Sequence, residues 1–91
     1  MVESLDRNAS LPVFGAAVTV KTLRAEALFA SALQPSASPS PDQVRHAVAT
    51  TLRRLGARAC AARMAGEFGD HPDTAVSRMS WALATIHAAM R

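Results

Sequence analysis

The stretch GDHPDTAVSRMSWALATI, residues 69–86, decides how this chain folds, because it carries its clearest helical pattern and its single tryptophan. It opens on a glycine, a turn and a proline, then runs on without a breaker. At 3.6 residues per turn, Val76, Met79, Leu83, Ile86 and Met90 fall on one stripe, which the pattern predicts to be the buried face. Trp81 then projects roughly opposite that stripe, at about 100° of rotation per residue, beside Thr74, Arg78 and Thr85. The spacing therefore predicts an outward-facing tryptophan.

Working upstream, Gly69 ends a helix predicted over Arg58 to Phe68 that buries Ala61, Met64, Ala65 and Phe68. Asp70 or His71 caps the helix that follows, and Pro72 occupies its first turn. Before Gly56, Val44, Val48, Leu52 and Leu55 recur at helical spacing. Ser40 is a good N-cap there, Pro41 suits the first helical position, and Gln43 completes a capping box with Ser40. Residues 34–41, QPSASPSP, form a Pro/Ser linker. A first helix is predicted over Thr22 to Leu33, with Leu23, Ala27, Ala30 and Leu33 or Leu28 inward. Residues 1–21 read as a flexible N-terminal arm. Val13-Phe14 and Val18-Thr19-Val20 could make a short strand there, which alone would not be stable. The expected fold is all-α: one helical domain over residues 22–91, built from four helices, with a helix-turn-helix-like C-terminal pair.

Ninety-one residues allow one small domain,. The hydrophobic share is 49%, but much of it is alanine, so the core should be thin and completed by a partner or a second copy. Ten basic and seven acidic residues give a net charge of +3, and the excess lies in the C-terminal half. That bias permits contact with nucleic acid without demanding it. Enrichment in alanine and arginine with almost no lysine is also the mark of a GC-rich coding sequence. The single cysteine, Cys60, excludes an internal disulfide and fits a reducing cytoplasm,. No apolar run approaches the ~20 residues a membrane crossing needs. The acidic Glu3 and Asp6 argue against a secretory signal. Cytoplasmic residence is the expectation.

The short turn Gly69-Asp70-His71 between two helices is the helix-turn-helix arrangement, whose second helix can enter a major groove. TAVSRMSWALATI, residues 74–86, resembles the recognition helix of region 4 in sigma factors, where a T-x-x-S-R-[LM]-S-x-A pattern is common. Thr74, Ser77, Arg78, Met79, Ser80 and Ala82 match it, and Ala65 and Gly69 resemble the alanine and turn glycine. The turn is one residue longer than in that family, Val76 replaces a basic or polar residue, and Trp81 replaces an arginine. The segments LRAEALFASAL, TLRRLG and EFGDHPDTAVSRM also resemble small helical proteins of high-GC actinobacteria. The sigma-factor resemblance implies a cytoplasmic transcription regulator that binds duplex DNA. Arg78 would contact a guanine edge or a phosphate, Thr74 and Ser77 would contact phosphates, and Trp81 would stack on a sugar or base. Arg53, Arg54, Arg58 and Arg63 would add backbone contacts.

A protein interface is the competing reading, since tryptophan and arginine are favoured anchors. In it the same Trp81 and Arg78 face binds a regulatory protein, or the Val76–Met90 helix forms a homodimer. Ala75, Ala82 and Ala89, seven apart, would let another helix approach closely. Catalysis has the least support. His46, His71 and His87 do not form a metal-ligand spacing with Cys60 and Asp70. No phosphate loop or nucleophile–base pattern is present, and no cofactor is implied. Cys60, set among alanines, reads as a small core residue.

Overall fold

The computed structural model describes residues 20–90. Helix α1 covers residues 20–30, α2 runs Pro41–Asp70 and α3 runs Pro72–Ala89, with a short 3₁₀ turn at Pro35–Ala37 between α1 and α2. The described residues are thus helical with three helices rather than four, and hold no strand. The second and third expected helices are joined into α2. Gly56 marks their junction, with φ 83° and ψ 161°, but a single residue in that conformation re-aims the chain and helical geometry resumes at once. Only glycine adopts those angles without strain, so the kink needs a glycine and no loop. The expected arm lies outside the described residues up to 19, as do the short strand and any cover it gives Trp81. Its last two residues, Val20 and Lys21, already belong to α1.

Local chemistry sets the helix starts. Ser40 caps α2 with its side chain accepting from the Gln43 amide at 3.2 Å, while the Gln43 side chain accepts from the Ser40 amide at 2.7 Å. This is the full capping box, with Pro41 at the first helical position,. The α2–α3 junction is tighter than expected. Gly69 and Asp70 are still helical, and His71 alone is non-helical. Its amide closes α2 on the Glu67 carbonyl at 2.7 Å, and its carbonyl accepts from the Ala75 amide at 2.9 Å to start α3. Its side chain makes no cap bond. A one-residue junction replaces the three-residue turn that the helix-turn-helix reading required.

The core gathers Ala25, Ala27 and Leu28 of α1, Val44, Val48 and Cys60 of α2, and Ala82, Ile86 and Ala89 of α3. Leu52, Leu55, Met79, Trp81 and Met90 pack on its margin. Alanine is its commonest residue. Small side chains let the three helices approach closely, so packing contact replaces buried side-chain bulk. Cys60 is fully buried. Burial raises its thiol pKa, nearby Glu26 raises it further, and Arg63 partly offsets both,. A thiol held protonated and out of solvent is unreactive.

Candidate functional site

Helix α3 turns a different face inward from the one its large residues predict. Ala75 (2% exposed), Ala82 (0%), Ile86 (2%) and Ala89 (9%) point into the core. Val76 (55%) and Leu83 (38%) are exposed. Met79 and Met90 lie between these extremes. The expected stripe is therefore corrected by roughly a quarter-turn about the helix axis. The reason is packing distance: the alanines seven apart let α3 seat closely against α1 and α2, whereas Val76 and Leu83 would hold it off.

That rotation carries Arg78 inward. Its Nε donates to the Phe29 carbonyl at 2.9 Å, and its Nη2 donates to the carbonyls of Leu33 at 2.9 Å and Ser31 at 3.1 Å. A longer contact reaches the Leu28 carbonyl at 3.4 Å. These oxygens lie at and just beyond the C-terminal end of α1, where backbone carbonyls lack helical partners and the helix dipole is negative. The guanidinium also stands over the Trp81 ring at 5.0 Å and the Phe29 ring at 5.7 Å from their centroids,. Phe29 in turn stacks on Phe68 with centroids 6.2 Å apart. Burial pulls the Arg78 pKa below the usual arginine value, and the group still keeps its charge,. Trp81 is half-buried at the core margin as the far side of this clamp, not the outward-facing ring that the spacing predicted.

The residues expected to meet DNA are thus divided. Thr74 and Ser77 are exposed on α3, and Arg53, Arg54, Arg58 and Arg63 are exposed on α2. Arg78 is committed to the interior and takes Trp81 with it. Arg63, Glu67, Asp70, Thr74 and Arg78 share the rim of an open groove of about 510 Å³ between α1, α2 and α3. Charges of both signs meet there, which gives it no preference for an anion or a cation. Among the described residues no group of three or more His, Cys, Asp or Glu side chains is placed to hold a metal ion. No helix of the described residues is long and apolar enough to cross a membrane.

The outer surfaces of the two long helices differ in kind. On α2 the exposed residues include Asp42, Arg45, Arg53, Arg54, Arg58, Arg63, Glu67 and Asp70. On α3 the exposed set from Asp73 to His87 is Asp73, Thr74, Val76, Ser77, Ser80, Leu83, Ala84 and His87. No charged side chain stands between its two ends, because Arg78, the one charge in residues 74–86, is turned inward. Asp73, Ser80, Ala84 and His87 were missed in reading the sequence for a site. The signal available was that near-absence of charge along 13 residues of helix. No family model, curated protein or solved structure matches the chain.

Proposed function

We propose that this protein is a helical protein-interaction module that binds its partner with the outer face of α3. The observation that carries this reading is the exposure of Val76 and Leu83, seven residues apart, on a helix face without charge. A solvated helix surface is ordinarily rich in Lys, Arg, Asp and Glu. An uncharged face bearing large apolar side chains marks an interaction surface. The composition fits, because a core built on alanine gains from covering further apolar area. Cytoplasmic residence and a regulatory role are part of the proposal, the first supported by a single buried cysteine.

A second reading, contact with duplex DNA, keeps one observation in its favour: Arg53, Arg54, Arg58 and Arg63 are all exposed on α2. It loses Arg78, the residue the sigma-factor resemblance would place on a base edge. One experiment separates the two. Cysteine is placed at Leu83 on α3 and, separately, at Arg58 on α2, and thiol labelling is compared between cells and dilute purified protein. Protection of position 83 in cells alone supports the protein interface. Protection of position 58 alone, relieved by added salt, would instead support DNA, since phosphate contacts weaken steeply with salt. Labelling of both at full rate in cells would remove both readings.

A further inference from the structure

We propose that the partner of the α3 face is a second copy of this chain, paired antiparallel through α3 with the two-fold axis at Ser80. The proposal rests on the reading of that face as an interface and names its occupant. Asp73, Val76, Ser77, Ser80, Leu83, Ala84 and His87 are all exposed. They form two interleaved rows, 73/77/80/84/87 and 76/80/83/87, each alternating by three and four, which keeps them on one stripe,.

An antiparallel pair centred on Ser80 matches each position with the one equally far on the other side. Val76 then lies against the partner's Ala84, and Leu83 against the partner's Ser77. Each large side chain meets a small one at both ends of the axis, which is the complementarity an isologous contact requires. Ser80 meets its own copy, and a small uncharged side chain suits a position that must face itself. At the ends, Asp73 faces the partner's His87, so the two polar residues bounding the stripe meet a complementary group. Both also suit the dipole of their own helix, so the large-against-small matching fixes the register. Self-repulsion is small here, because the exposed arginines among the described residues lie on α2. A parallel pair would put Val76 against Val76 and Asp73 against Asp73, losing both matches.

One helix pair lies at the small end of interface sizes, so dissociation on the order of 10 µM is expected. The test is sedimentation of the full chain over a concentration series, with Ser80→Arg compared and helix content checked by circular dichroism. Arginine is at least as good a helix former as serine, so the fold should survive. The variant would face two cations at the axis, and self-association should weaken by ~100-fold. Disulfide trapping then reads the register, with the buried Cys60 silent. Ser80→Cys should cross-link rapidly. Asp73→Cys should not, since seven residues from the axis at 1.5 Å each leave the two thiols about 21 Å apart.

A wild-type monomer at every concentration overturns the proposal, as does a dimer that Ser80→Arg leaves intact or one that Asp73→Cys traps as readily as Ser80→Cys. The reading of α3 as an interface is scored separately by cysteine at Leu83. If the purified chain is a monomer and position 83 is protected only in cells, self-pairing fails and a different partner occupies the face. If position 83 is protected in the dilute monomer, no second chain is needed to cover it and both readings fail.

Discussion

Two arginines each reach the C-terminal end of a helix far away in sequence, at different depths. Arg78 of α3 closes α1 from 45 to 50 residues downstream, through several carbonyls and between two aromatic rings. Arg45 of α2 closes α3 on the Ala89 carbonyl at 2.9 Å and pairs with Asp42, and its side chain is 48% exposed. The chemistry is the same, a cation on the negative end of a helix. Environment separates them. The half-buried Arg78 guanidinium serves the carbonyls of Phe29, Ser31 and Leu33 together, whereas the more exposed Arg45 serves the Ala89 carbonyl alone.

Arg78→Ala is accordingly the change with the largest expected effect, a loss of about 3 kcal/mol in urea unfolding, because several carbonyls lose their donors and the Phe29–Trp81 clamp empties. Arg78→Lys keeps the charge but lacks the planar fork, and should recover less than half of that loss. Full recovery by lysine would mean that charge alone holds α1 and would erase the contrast with Arg45. Along α3, between Arg78 and the Ala89 carbonyl that Arg45 reaches, lies Ala82, fully buried where α3 meets the core. Ala82→Leu should cost about 1–3 kcal/mol by forcing α3 outward. A neutral result by thermal unfolding would show that α3 is not seated closely along its length.

Arg45→Ala should cost about 0.5 kcal/mol or less, and that contribution should fade in high salt, since the pair with Asp42 is exposed and screened. The Arg78→Ala loss should persist in the same salt. Unfolding curves for both variants at low and high salt check the contrast directly, and equal salt sensitivity would break it.

What the sequence disclosed follows the range of the forces involved. The Ser40–Gln43 capping box, the start of α3 at Pro72 and the break at Gly56 rest on bonds or angles within a few residues, and all were readable. The facing of α3 was misread because large apolar residues were counted as the inward set. Burial here is decided by how closely the backbones approach, and alanines set that distance. Arg78 was placed on a surface because the carbonyls of Phe29 and Leu33 cannot be foreseen from its own helix. The uncharged outer face of α3 was present in the sequence but concealed, since Arg78 had to be known to turn inward before the remainder could be seen to lack charge. The helix count failed at Gly56 for a similar reason: a glycine marks a break, but not whether a loop or a bare kink follows.

Stability against pH reads a carboxyl group. Glu26 lies on α1, and burial raises its pKa above the ordinary 4.5,. Raised in the folded state, it binds its proton more tightly there than in the unfolded chain. Its contribution to stability is therefore fully present below 4.5 and is lost as pH rises through the folded value,. At neutral pH the carboxylate is a small cost to α1, the helix that Arg78 holds. Glu26→Gln should then raise the melting temperature slightly at pH 7 and leave it unchanged well below pH 4.5. Glu26 also raises the Cys60 thiol, so the variant should make that thiol slightly easier to ionise. Should Glu26→Gln instead destabilise the protein at pH 7, the ionised carboxylate would be making a favourable contact, and burial could not be the cause of its shift.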